Sequence, residues 1–257
     1  MATQKSGIAV GRSWFRSVVP EGYARATLTL SGTSPLLMNS AEADREGALY
    51  RAYVMLADKQ RKTMDDSARL VQLEWEIRLY MDADLGPYVP GRNVKALLWE
   101  AAGKFKKGAT VKRSLITVET RIPLVYDGPR DQEGLWADGY RYTTMVKNAG
   151  FNGGRVMRCR PMFPTWALVV DLAFDPEEID PDTLSLIVER TQRYGLGDYR
   201  ATSGGEFGAF AATLDLAGTK RAGRKAMSVK PKNGHEEAGH EAFKARIMSP
   251  EDLVTAK

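Results

Sequence analysis

Between Tyr23 and Ser31 the chain alternates, with Ala24, Ala26, Leu28 and Leu30 on one parity and Arg25, Thr27 and Thr29 on the other. A period of two marks a strand with one buried face. Thr33-Ser34-Pro35 interrupts it ahead of Leu36-Leu37-Met38-Asn39-Ser40. From about Ala43 to Met81 the apolar positions fall at helical spacing, first Leu49, Tyr53 and Leu56, then Leu70, Leu73 and Ile77. A break at Thr63 to Asp65 makes this a helical hairpin. The turn-rich stretch Gly86 to Gly91 opens a helix predicted over Arg92 to Phe105, striped by Val94, Leu97, Leu98 and Ala101. A second strand is predicted over Ser114 to Tyr126, then a loop from Asp127 to Gly139. Residues 140–160 read as an excursion from the core. The clearest alternation follows at Thr165 to Phe174, with Trp166, Leu168, Val170, Leu172 and Phe174 on one face. Asp180 as N-cap and Pro181 at the first helical position open a helix whose Leu184, Ile187, Val188 and Thr191 share a face and which ends near Gly195. A glycine-rich loop, Gly195 to Gly208, leads to a last strand from Ala209 to Leu216.

Reduced to core elements, the order is β-α-β-β-α-β, an α+β chain of the ferredoxin-like kind shared with RNA recognition motifs, elaborated by helical and loop insertions and a C-terminal tail. The chain of 257 residues divides into an arm (1–22), one domain (23–217) and a basic tail (218–257) with enough apolar residues near its end for a short helix. No internal repeat is visible. Fold order alone does not specify an activity.

No run of about 18 apolar residues is present, and the start MATQKSGIAV lacks a secretory pattern, so a cytoplasmic protein with no membrane contact is expected. Cys159 is the only cysteine, which rules out an internal disulfide and a cysteine-based zinc site. Its neighbours Arg158 and Arg160 would lower a thiol pKa; the plainer reading is a small buried residue at a strand start. Charge is uneven. The tail carries nine Lys/Arg against five Asp/Glu, whereas the rest is nearly neutral at 28 against 27. An electrostatic site on the folded part must therefore come from clustering.

Four segments supply candidates, each with a bland counterpart. In Tyr88-Val89-Pro90-Gly91-Arg92-Asn93-Val94-Lys95 a Pro-Gly turn leaves helix-start amides free beside Arg92, Asn93 and Lys95, a combination that suits a phosphate; an ordinary capped helix with solvated charges would read the same. The glycine-rich loop, with Gly197, Gly204 and Gly205 between Arg193 and Arg200, would let backbone amides approach a sugar-phosphate chain; a long surface loop is the alternative. The excursion holds Arg141, Lys147, Arg155, Arg158 and Arg160, interleaved with Tyr140, Tyr142 and Phe151 as in single-strand binders, or as in a solvated hairpin. Lys104, Lys106, Lys107, Lys112 and Arg113 gather where the Arg92 helix ends, a place that favours cations for purely structural reasons.

The stretch Pro90-Gly91-Arg92-Asn93-Val94-Lys95-Ala96-Leu97-Leu98 is similar to the signature that opens the first core helix of RAMP proteins, which form the RNA-holding backbone of CRISPR effector complexes. Gly195-Leu196-Gly197-Asp198-Tyr199-Arg200 with Gly204-Gly205-Glu206-Phe207-Gly208 resembles the glycine-rich loop this family carries between its last helix and last strand. Together with the fold order these cover about residues 23–216. Arg92 and Asn93 stand where small residues are usual, Ala96 where glycine is commoner, and the loop is long and carries Asp198 and Glu206. A divergent branch, virus- or mobile-element-encoded, fits these departures. The resemblance implies binding of RNA or single-stranded DNA, head-to-tail assembly with copies of the same chain, and other effector subunits as further partners, with Asn39 also near the strand. No Walker-type loop, dinucleotide fingerprint or cluster of metal-ligating residues is present, so no cofactor and no metal are expected.

Many relatives of this family are histidine-based endoribonucleases, but both histidines here, His235 and His240, lie in the tail and stand five apart, unlike the pair on a zinc-protease helix. Some backbone subunits cut RNA with an aspartate in the loop after the first strand, and Asn39, Asp44 and the adjacent Arg45 are the nearest equivalents; a surface-helix start explains Asp44 equally well. An RNA-cleaving enzyme is thus one alternative, and a viral structural or assembly protein or a single-stranded-DNA-binding recombination protein is another.

Overall fold

The computed structural model describes residues 16–42, 44–147 and 154–216, all within one unit spanning Met1–Gly218. The predicted arm's Trp14 and Phe15, the hairpin's Gly150, Phe151 and Gly153, and the tail with its histidines lie outside the described residues.

The first alternating segment is β1, Ala24–Gly32, with Ala26, Leu28 and Leu30 buried. The break at Pro35 leads to a two-residue β2, Leu36–Leu37. The helical hairpin follows as α1, Ala48–Asp58, and α2, Met64–Arg78. Thr63 ends the gap between them as a capping box: its hydroxyl accepts from the Asp66 N–H while the Asp66 carboxylate accepts from the Thr63 N–H. β3, Met81–Asp82, pairs with β4, Gly86–Pro90, and β4 runs directly into α3, Gly91–Ala102, whose Val94, Leu97, Leu98 and Ala101 are buried as the stripe predicts.

After α4, Gly108–Ser114, the expected second strand is two. β5, Leu115–Thr117, joins the main sheet, and β6, Arg121–Pro123, turns away to pair with β4. The chain bends between them because Thr120 offers its carbonyl to the Gly91 N–H, which draws the segment off the sheet towards α3. The expected loop contains α5, Gln132–Ala137, capped by Asp131. Its six residues are too few to show a helical period. The excursion is an antiparallel hairpin of β7, Arg141–Lys147, and β8, Arg155–Phe163. Its far end is no excursion: Cys159, Pro161 and Phe163 are buried, and α2 packs along it. β9, Ala167–Phe174, buries the four residues of the predicted inward face that it contains, and the fifth, Trp166, is buried just before the strand begins. α6, Pro181–Thr191, starts at Asp180 and Pro181 as expected, and β10, Phe210–Leu216, closes the fold.

The main sheet runs β10-β1-β9-β5 with every pair antiparallel; β2-β8-β7 and β3-β4-β6 form two smaller sheets. The inward face of the main sheet, α3 and α6 meet in one core that includes Leu28, Leu168, Val170, Leu97, Ile187 and Phe174. The protein is therefore mixed α+β, with antiparallel sheets and several helices. None of its helices among the described residues is long and apolar enough to cross a membrane.

Candidate nucleic-acid interface

The junction between β4 and α3 is tight. A Cβ on Gly91 would lie 2.3 Å from the Glu119 carbonyl oxygen, so the backbone approach requires glycine. Pinned there, the first turn of α3 separates two clefts on adjoining flanks of the helix.

One cleft, of about 390 Å³, has an apolar floor that includes Leu37, Tyr80 and Val89, and a polar rim of Asn39, Asn93, Gly197, Asp198, Arg200 and Ser203. The segment after β2, the start of α3 and the glycine-rich loop meet in it. Gly197 adopts φ +85°, and a side chain there would strike the Leu37 carbonyl; next to it the Asp198 N–H donates to that same oxygen at 2.9 Å. The loop is thereby fastened to β2. Asn39 Nδ2 donates to Asp198 Oδ2 at 3.0 Å, and Arg200 lies 3.6 Å from Glu100 on α3.

Behind this rim Arg160 is buried, 8% exposed. Its Nε donates to Asp198 Oδ2 at 3.1 Å and its Nη1 to Glu74 Oε1 at 2.9 Å. Burial works against the guanidinium charge, but the hydrogen bonds to Glu74 and Asp198 prevail and raise its pKa above the ordinary range. Glu74, itself buried on α2, also accepts from the Cys159 N–H and approaches Arg158 at 3.4 Å. Arg160, one of the predicted phosphate contacts, thus directs its donors into the protein, while Arg158 makes a single contact with the same carboxylate and stays partly exposed.

The second cleft, of about 370 Å³, is lined by Arg92, Lys95, Arg121, Thr117 and Thr120 among others. Arg92 pairs with Glu42 at 2.7 Å. Arg121 pairs with Asp82 and lies over the Tyr88 ring, 5.1 Å from its centroid. Burial, and then the carboxylate of Glu42 that its hydroxyl faces, push the Tyr88 pKa up. Burial, and then the charge of Lys112, push that of Lys95 down.

The remaining candidates sit elsewhere. Lys104, Lys106 and Lys107 are exposed beyond the far end of α3, a helix about 18 Å long at 1.5 Å per residue. Lys112 on α4 rests over the Trp99 ring, and Arg113 pairs with Glu178 at 2.5 Å. Arg141 stacks on Trp136 and donates to its carbonyl, Arg155 is exposed at the start of β8, and Lys147 ends β7. Arg193, Gly204 and Gly205 line neither cleft. Tyr140 packs against Tyr126 and Phe163, and Tyr142 against Phe207, so both rings are engaged within the protein. Cys159 lies mid-strand instead of at a strand start, and burial raises its thiol pKa. Asp44 accepts the Glu46 N–H in the turn before α1. The outward positions within the main sheet, such as Thr27, Thr29, Val169, Asp171, Thr213 and Asp215, include no aromatic residue, so the stacking platform of RNA recognition motifs has no counterpart on these strands.

Sequence reasoning missed Glu42, Glu74, Arg121 and Trp99. Only Trp99 left a signal, standing four residues after Lys95 on the same helix.

These features define the class: a mixed α+β protein with antiparallel sheets and two polar clefts beside one helix start. No family model matches the sequence, and no curated protein matches it. Among solved structures, a chain from the cryo-EM structure of the Type III-B Cmr-beta bound to cognate target RNA is similar over 76% of this chain, with 10% identity and a TM-score of 0.44. The match spans 61% of that chain's length, less than two thirds.

Proposed function

We propose that this chain is a single-strand nucleic-acid-binding protein of the RAMP kind, holding RNA or single-stranded DNA along the two clefts at the start of α3 and assembling head-to-tail along the strand. The observation that carries this reading is convergence. Asn39, Asn93, Gly197 and Arg200 come from distant parts of the chain to one cleft, with Arg92 and Lys95 in the cleft beside it. Asparagine amides and guanidinium groups suit sugar and phosphate oxygens. Arg92 and Arg200 each hold one carboxylate, and a guanidinium has five N–H donors to share.

A ferredoxin-like core is part of the reading. Numbered along the chain as core strands, β1, β5, β9 and β10 lie in the order fourth, first, third, second. α3 falls between the first two and α6 between the last two, which supports a split β-α-β arrangement. Self-assembly draws support from α1, which buries none of its residues and leaves Met55 77% exposed.

The test is fluorescence anisotropy with a labelled 20-nucleotide RNA, the same DNA strand and its duplex, at about 50 and 200 mM salt. Single strands are expected to bind in preference to duplex, to weaken at least about tenfold at the higher salt, and to bind less well to Asn93→Ala/Arg200→Ala. Absence of single-strand binding at low salt would overturn the proposal. Metal-dependent cutting of the RNA that disappears in Asp44→Ala would replace it with an endoribonuclease.

A further inference from the structure

Lys95 and Trp99 lie one turn apart on the outer side of α3, and Lys112 reaches over from α4 to place its ammonium 4.7 Å from the Trp99 ring centroid. Trp99 remains 37% exposed. Carboxylates that could neutralise this corner are already engaged: Glu42 holds Arg92, Glu100 holds Arg200 and Glu178 holds Arg113. Among the described residues no carboxylate comes within ion-pair distance of Lys95 or Lys112, and Lys112 reaches the ring that stands one turn beyond Lys95; burial first, and then the charge of Lys112, lower the pKa of the half-buried Lys95. Two like charges on neighbouring helices repel one another, and an anion placed between them removes that cost. Lys95 also lines the cleft that carries Arg92, so the corner continues that cleft along the helix.

We propose that Lys95, Lys112 and Trp99 form a one-nucleotide step for a single strand, in which a phosphodiester bridges the two ammonium groups and the adjoining base stacks on the Trp99 indole. This rests on the single-strand-binding reading above. A phosphodiester has two non-bridging oxygens, one for each ammonium. The four-carbon stem of Lys112 allows its head to move off the ring to the phosphate, and the indole face it vacates is then open to a base. Stacking of this kind is tolerant of sequence because every base has a π-face.

The test uses the full-length protein and three fluorescein-labelled probes: a 12-nucleotide uridine RNA, the matching thymidine DNA, and an abasic DNA strand of the same length. Each is titrated across about 50–300 mM KCl against wild type, Lys95→Gln/Lys112→Gln and Trp99→Leu, after thermal melts confirm that the variants fold. The lysine pair should weaken all three probes and flatten the log K against log salt slope by about 0.7, the value of one phosphate on a single strand. Trp99→Leu should weaken the two base-carrying strands about tenfold or more and leave the abasic strand unchanged. Wild-type binding that both variants reproduce would overturn the step and leave the cleft reading intact. An equal loss on the abasic strand would overturn stacking on Trp99, and absence of wild-type binding to any probe would overturn both proposals.

Discussion

Arg160 shows how a residue's neighbours decide its work. Read along the chain it is one of five cations in a basic segment; in the fold it is the buried tie between α2, β8 and the glycine-rich loop, held by Glu74 and Asp198. Removing one partner of a buried ion pair leaves the other charge without compensation, which typically costs about 3–5 kcal/mol. Arg160→Met is therefore expected to lose about that much stability in urea unfolding, and Arg160→Met/Glu74→Met to lose less than the single variant, because the stranded carboxylate on α2 is gone. A single variant as stable as wild type would mean that the network does not hold the loop. Arg158 and Arg160 differ from Arg155 only in what faces them, and nothing in Met157-Arg158-Cys159-Arg160 announces a carboxylate more than 80 positions earlier. Trp99 is the converse case: its spacing from Lys95 was legible, but Lys112 is brought to it only by the packing of α4 on α3.

Elements with strong local signals formed where the pattern placed them. α6 has an N-cap, a proline at its first position and a four-residue apolar stripe, and it begins at Pro181 as expected. α2 begins at its capping box, where Asp66 serves both the Thr63 N–H and the Lys59 ammonium. Hydrogen bonds to Lys59 first, and then to the Thr63 backbone, lower the Asp66 pKa to about 2 from 3.8. A depressed carboxylate stabilises the fold above its unfolded value and ceases to do so as pH falls through the folded one. The contribution of Asp66 is thus complete above about pH 4 and lost towards pH 2, and Asp66→Asn should make acid unfolding, followed by circular dichroism, less steep in that window. Elements that misled have equally local causes. β5 and β6 share a continuous β-prone run, and what divides them is a bond from Gly91, on another element, to the Thr120 carbonyl. α1 forms where its periodicity places it and packs on α2, but its predicted face is only half covered: Tyr53 and Leu56 are half-buried and Leu49 is exposed, because periodicity specifies a face and not how fully a partner covers it.

At the scale of the whole molecule, charge separates into a nearly neutral body and a tail whose stretch from Lys220 to Lys232 carries six cations and no acid. If each of the six engages one phosphate of a single strand, the tail contributes about 4 to the salt slope of binding at about 0.7 per phosphate. A chain ending at Ala217 is expected to bind oligonucleotides with a shallower slope by up to that amount and to retain the slope of the body; complete loss of binding would place the activity in the tail and overturn the cleft reading. The sequence by itself determined which face of each long strand and helix is apolar, where α6 begins, and that Pro90-Gly91 opens a helix beside Arg92 and Lys95. All of these are decided by residues a few positions apart, through periodicity, capping and turn chemistry. Only the tertiary structure decided which cations remain unpaired, that Asn39 meets Asp198 across 159 positions, and that two clefts flank one helix start. Those facts follow from the order of strands in the sheet and from the packing of side chains across it, and no local pattern carries that information.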